Sequence, residues 1–162
     1  MTCAIAFAKT KEGKDHAKKE RGKELLRRKR NLRQNNRSWW VKRAQEAFNK
    51  YVRTRDADLP CISCGITTGQ MHCGHYITVG HGGNALRFDP RNAHKQCAQC
   101  NNFKSGNLKA YRPPLIEKIG MEEVEWLEGH HDPVKFSIDD LREIRDRFKQ
   151  LTKELESAAQ VA

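Results

Sequence analysis

Apolar residues are unevenly spaced along the 162-residue chain, and their spacing divides it. Over residues 9–37, KTKEGKDHAKKERGKELLRRKRNLRQNNR, they are scattered, and Leu25, Leu26 and Leu32 cannot make a continuous face. A segment that buries no stripe gains little from packing, so this stretch reads as an arm, helical in part and ordered on its ligand. The pattern changes at Ser38, a good N-cap. Beyond it Trp40, Val41, Ala44, Ala47, Phe48, Tyr51 and Val52 fall on one helical stripe, with Lys42, Arg43 and Arg53 elsewhere. This helix is expected to end before Pro60 and to bury its aromatic stripe in a core.

Residues 61–107 are rich in Gly and Asn, with short extended pieces such as MHCGHYITV broken by GHGGN; they predict a hairpin followed by a short helix. After YRPP, residues 114–129 predict one or two short helical segments. Ser137 and Asp140 have capping-box spacing, and Leu141, Ile144, Phe148, Leu151 and Leu155 recur at steps of three and four, a helix that packs on the domain or forms a dimer seam. Three regions result: an arm (1–37), a central core (38–112) and a C-terminal helical region (113–162).

A mean hydropathy of −0.87 with 37% hydrophobic residues implies a modest core, which at this size usually needs a staple. No apolar run has membrane length and no signal-peptide pattern opens the chain, so a cytoplasmic protein is expected, where six cysteines point to metal thiolates instead of disulfides. The net charge of +11 is localised. Residues 1–55 hold 18 Lys and Arg against 5 acidic residues, while the remainder holds 13 against 15. Such a block attracts polyanions and releases counterions from a phosphate backbone, which makes nucleic acid the leading partner.

Cys61-Ile-Ser-Cys64 and Cys97-Ala-Gln-Cys100 are two zinc knuckles, each able to turn two thiolates toward one ion. With 32 residues between them they would clamp the ends of the central segment. Four thiolates leave no open position, so this zinc is expected to be structural. Cys73 sits between two histidines in HCGH, and reads as a small buried residue outside any metal site. Cys3 carries no signal.

A second pattern is threaded between the knuckles. His75, then Gly82 and Gly83, then Asn92, then CAQCNNFKSG resembles the HNH endonucleases, whose ββα-metal motif has a His, a GG turn, an Asn, and a CxxC followed by His or Asn. More closely, LPCISCG, GHYITV, LRFDPRNAHKQCAQCNNFKSGNLKAYR and SWWVKRAQEA resemble the NinG/Rap family of lambdoid phage recombination nucleases. The resemblance implies an α+β fold, in which a small zinc-stabilised ββα-metal centre of HNH or treble-clef kind is flanked by helices and preceded by the basic arm. It also implies cleavage of branched DNA such as Holliday junctions and D-loops, in the host cytoplasm during infection, alongside host or phage recombination proteins.

Hydrolysis of a phosphodiester needs an activated water and a cation on the phosphate oxygens. Histidine, with an ordinary pKa of about 6.5, suits the role of base, which falls to His75. By the HNH pattern Asn92 would bond across the loop and hold His75, and Asn101 would bind a divalent ion, Mg²⁺ or Mn²⁺. HNH enzymes place Asp or His immediately before the base; Gly74 stands here. His72 is the nearest substitute ligand, with Asp89 in reserve. Lys104, Arg87, Arg91 and Lys95 flank the site as phosphate contacts, and His94 reads as a structural hydrogen-bonder. The alternative reading is a non-catalytic zinc module that binds branched or single-stranded DNA. A homodimer would supply the two symmetric incisions that resolve a four-way junction.

Overall fold

The computed structural model describes residues 10–79 and 85–160, in two compact units, Met1–Trp40 and Val41–Ala162. His81, the Gly82–Gly83 pair and Cys3 lie outside the described residues. In the first unit helix α1 (Lys11–Gln34) is continuous over 24 residues, capped by Thr10, whose hydroxyl accepts the Gly13 N–H at 3.0 Å. It carries eleven Lys and Arg against four acidic residues, and Leu25, Leu26 and Leu32 are all exposed. Its residues are mostly strong helix formers, which lets the segment be helical without a buried stripe.

Helix α2 (Arg37–Arg55) starts two residues earlier than a cap at Ser38 implies. Asn36 is the effective cap, its Oδ1 accepting the Trp39 N–H at 3.0 Å, and Ser38 lies inside the first turn. In the second unit α2 buries Ala44, Ala47, Phe48 and Val52, as its stripe predicted.

Strand β1 (Met71–His75) pairs antiparallel with β2 (Ala93–Cys97), in a register running from Met71↔Cys97 to His75↔Ala93. A 3₁₀ turn, Pro90–Asn92, leads into β2, and a π-helical turn, Gln99–Phe103, follows it. The expected short helix is therefore a single π turn. Left-handed Ser105, Gly106 and Asn107 (φ 48°, 85° and 45°) reverse the chain into α3 (Leu108–Ile119). Here the sequence expectation is corrected: α3 begins ahead of YRPP and holds Pro113 and Pro114 in its interior. The two prolines remove N–H donors that would reach Lys109 and Ala110. Burial of Tyr111 and Leu115 on either side holds the helix on the core regardless. Gly120, at φ 89°, divides α3 from α4 (Met121–Glu128). A boundary between 112 and 113 thus falls within one helix, and the central and C-terminal regions share the second unit.

Helix α5 (Ile138–Ala159) opens with a complete capping box: Ser137 Oγ accepts the Asp140 N–H at 3.1 Å and Asp140 Oδ2 accepts the Ser137 N–H at 2.8 Å. Two apolar groups hold the unit together. Tyr76, Leu86, Tyr111, Leu115, Val124 and Leu127 form one. Phe48 centres the other, with the rings of Phe148 and Phe88 at 4.9 and 5.9 Å. Buried Asp56 adds a polar tie: it accepts from Arg55, from Lys118 Nζ and from the Lys95 N–H, while Arg55 donates to the Pro90 and Ala93 carbonyls. These bonds fix the end of α2 to β2 and α3.

Candidate active site and metal centre

The sulfurs of Cys61, Cys64, Cys97 and Cys100 all lie within 4.8 Å of one another. Cys64 Sγ and Cys97 Sγ are 3.7 Å apart, far beyond the ~2.05 Å of a disulfide. The first knuckle is shaped by the Cys61 N–H bond to the Ile66 carbonyl and by Gly65 at φ 73°, and Ile62 N–H to the Lys95 carbonyl stitches it onto β2. The second knuckle spans the end of β2 and the π turn, where the Cys100 N–H and the Asn107 amide donate to Cys97 and Cys100 sulfurs. Burial works against a Cys61 thiolate, but backbone N–H donors from Cys97, Ser63 and Cys64 outweigh it and bring the thiol down to about 7. The Ile66 N–H favours ionised Cys64, yet burial and the adjoining sulfurs push that thiol up to about 12. Cys61 ionises most readily while Cys64 and Cys100 resist, so a bound cation would favour their ionised forms. The donor set and its closure fit a structural, zinc-like ion. Among the described residues this is the one group of three or more His, Cys, Asp or Glu whose ligand atoms converge. Cys73 is outside it, and burial pushes its thiol up to about 12.

His75 ends β1 with its ring stacked on Phe48, centroids 5.7 Å apart and planes 28° from parallel. Its Nε2 lies 3.0 Å from the Arg87 carbonyl oxygen. A carbonyl only accepts, so Nε2 carries the proton and the lone pair resides on Nδ1, which has no hydrogen-bond partner among the described residues. Burial lowers the His75 pKa; the carbonyl bond opposes this and the Arg87 charge adds to it. The imidazole is therefore neutral at neutral pH.

Asn92 is fully buried and closes the loop that follows β1. Its Oδ1 accepts the Ile77 N–H at 2.7 Å, and its Nδ2 donates to the Ile77 and Leu86 carbonyls at 3.0 and 3.2 Å. Its own carbonyl accepts the Tyr76 N–H at 2.8 Å. Asn92 thus pins the residues immediately after His75 and immediately before Arg87, the two ends of the His75–Arg87 bond.

His72 and His75 are three apart in one strand and so project to opposite faces; His72 shares its face with Gly74. That parity matters, because the residue before the base in the HNH pattern points to the same side as His72. His72 Nε2 is buried without a hydrogen-bond partner. Asn101 lies in the π turn, its Nδ2 on Asn102 Oδ1 at 2.9 Å. Asp89, the reserve ligand, caps the 3₁₀ turn and is engaged by the Arg91 side chain, so its carboxylate already has a partner. His94 is buried, with Nδ1 3.0 Å from the Tyr111 hydroxyl, which donates onward to the Gly74 carbonyl.

The four flanking cations separate. Lys95 is buried, its ammonium donating to the Ala57 carbonyl at 2.6 Å, a bond that a phosphate contact would have to replace. No in-and-out alternation marks this lysine, since every residue of that strand is buried. Arg91 is held by Asp89 and Glu123 and lies 4.0 Å from the Trp126 ring centre. Arg87 donates to Gln45. Lys104 is exposed beside Asn101. Sequence reasoning also passed over Gln96, which is fully buried in β2 opposite His72. A cavity of about 420 Å³, lined by Cys61, His94, Pro114 and Lys118 among others, includes neither His75 nor Asn92.

A hairpin whose second strand runs from a buried Asn into a thiolate-clamped helical turn matches a ββα-metal centre in outline. The chain carries this centre within a particular phage family. The family model for "Bacteriophage Lambda NinG protein" matches residues 2–158, and the chain belongs to the NinG family. It is 46% identical over 123 residues to protein ninG of Escherichia phage lambda (75% of this chain, 60% of that one) and to protein ninG of Escherichia phage 933W (75% and 61%). Protein ninG of Salmonella phage P22 is 47% identical over 120 residues, 74% of this chain and 59% of that one. The chain therefore spans about three-fifths of the length of these relatives. No solved structure matches. No helix among the described residues is long and apolar enough to cross a membrane.

Proposed function

We propose that the protein is a structure-specific DNA endonuclease that hydrolyses phosphodiester bonds in branched recombination intermediates, Holliday junctions and D-loops among them. The observation that carries the reading is the His75–Arg87–Asn92 arrangement: a neutral imidazole, oriented by a carbonyl whose own loop is pinned by a buried amide. Nδ1, left without a hydrogen-bond partner among the described residues, supports the role of base.

In the proposed mechanism His75 Nδ1 accepts a proton from water as that water attacks phosphorus, and Asn92 acts as a positioning residue for the ring. A divalent ion, Mg²⁺ or Mn²⁺, held by His72 and Asn101 with substrate oxygens, would offset charge on the phosphate and the leaving oxygen. The orphaned His72 Nε2 supports a ligand role, because a buried ring nitrogen without a partner is costly. Lys104 contacts phosphate, and the cations of α1 hold the duplex arms through counterion release.

The test is cleavage of an end-labelled synthetic four-way junction beside linear duplex of the same sequence, with Mg²⁺, Mn²⁺ or EDTA. Metal-dependent cutting confined to the junction is expected. Tight junction binding with no cutting under any metal would establish the non-catalytic binding module instead.

A further inference from the structure

Two buried polar atoms lack partners on the same face of the hairpin. One is His72 Nε2 and the other is Gln96 Oε1, and the two residues are directly paired in the register. Opposed residues of an antiparallel pair project to one side. The assignment of the Gln96 oxygen is firm on chemical grounds. Its Nε2 lies 2.6 Å from the Gly106 carbonyl, which can only accept, and 2.7 Å from Ser63 Oγ, so the amide nitrogen faces those two and the oxygen is the atom left over.

Where that oxygen lies is equally specific. A Cβ built on Gly74 would come within 2.2 Å of Gln96 Oε1 and 2.9 Å of its Cβ. Gly74 has no left-handed φ to explain a glycine, so what excludes a side chain is the space Gln96 occupies. Gln96 therefore delivers an oxygen to the place where a side chain at position 74 would begin. Ser63 and Gly106 fix its amide from the other end, across the first knuckle and the turn after Asn101.

We infer that Gln96 Oε1 and His72 Nε2 together form a divalent-cation site, in which the Gln96 carbonyl oxygen supplies the ligand that Gly74 cannot. The Gln96 oxygen offers a lone pair, His72 Nε2 offers one in the Nδ1-protonated tautomer, both atoms are desolvated, and an ion bound by both satisfies each at once. A neutral oxygen and an imidazole nitrogen favour Mn²⁺ over Mg²⁺, since imidazole suits the transition metals and Mg²⁺ prefers oxygen. The inference rests on the nuclease reading for the ion's task, and on geometry alone for its binding.

The experiment reads binding, not cleavage. The zinc-loaded 162-residue chain is titrated with Mn²⁺ without DNA, free Mn²⁺ is followed by electron paramagnetic resonance, and the Gln96 side-chain amide is followed by NMR. One Mn²⁺ per chain is expected, broadening the Gln96 amide ahead of the Gln45 amide. H72A and Q96A, checked for zinc content, each weaken binding by at least roughly tenfold. In the double variant G74D with Q96G, which also removes the Cβ lying 2.9 Å from a side chain at position 74, the new carboxylate occupies the vacated space, and binding returns. Unchanged Mn²⁺ affinity in folded Q96A overturns the site, as does a Gln96 amide in wild type that Mn²⁺ leaves sharp; the latter holds even where a variant fails to fold. Metal-dependent junction cutting with a silent Gln96 sinks the site and leaves the nuclease standing. Mn²⁺ at Gln96 without cutting does the reverse.

Discussion

Single side chains here do unequal amounts of structural and chemical work, and Asn92 shows both. Its three side-chain bonds all serve buried backbone groups, so Asn92→Asp, which cannot donate to the Ile77 and Leu86 carbonyls, is expected to cost roughly 1–3 kcal/mol in urea unfolding. The same change is expected to reduce cleavage beyond the loss in folded protein, because the Arg87 carbonyl that aims His75 shifts with Leu86. His75 titrates below its ordinary value because it is buried. A base must be deprotonated, so kcat/KM is expected to rise with pH, with its acid limb centred below about 6.5, and to level off above it. An acid limb centred above that value would point to a different base. At this scale the four cysteines were legible from their paired spacing, whereas the roles expected of His75 and Asn92 came from the resemblance to the HNH pattern. Lys95 and Gln96 were not legible, because a solvent-facing lysine and a buried one look alike until the opposing strand is known. The burial of Gln96 depends on its bonds to Ser63 and Gly106, 33 and 10 residues away.

Among the elements, the hairpin is too small to stand alone; two strands are marginal without a staple. Removing the ion from the four-cysteine cluster, or Cys100→Ser, is expected to abolish cooperative folding of the second unit, read as loss of β-hairpin amide protection on chelation. Retention of that protection would mean the apolar groups suffice by themselves. Helix α2 is tied to the hairpin through Asp56. Burial works against its charge, but Arg55 and Lys118 outweigh this and hold the carboxyl near 2. A depressed carboxyl contributes stability above its unfolded pKa of about 3.9, and that contribution is lost as pH falls through about 4 toward 2. Asp56→Asn is expected to flatten this acid limb in denaturation at graded pH. The helix stripes of α2 and α5 were legible because amphipathic periodicity survives in any packing. The start of α3 was not, because prolines mark helix ends in isolation and only the buried Tyr111 and Leu115 hold this helix across them.

For the whole molecule, charge and chemistry are segregated: α1 carries the cations, and the second unit carries the thiolate cluster and His75. Binding and cleavage are then separable. Replacing Arg27, Arg28, Lys29 and Arg30 with Gln is expected to weaken junction affinity and shallow its dependence on log salt, by about 0.9 for each phosphate no longer neutralised. The rate of the bound complex should be little changed. The most direct measurement is single-turnover cleavage of a saturated four-way junction by wild type and His75→Ala matched for zinc content and junction affinity. A base held as His75 is held makes a loss of about 100-fold or more the expected result, with binding retained. Cleavage at the wild-type rate by the folded, zinc-loaded variant would contradict the assignment of His75 as the base.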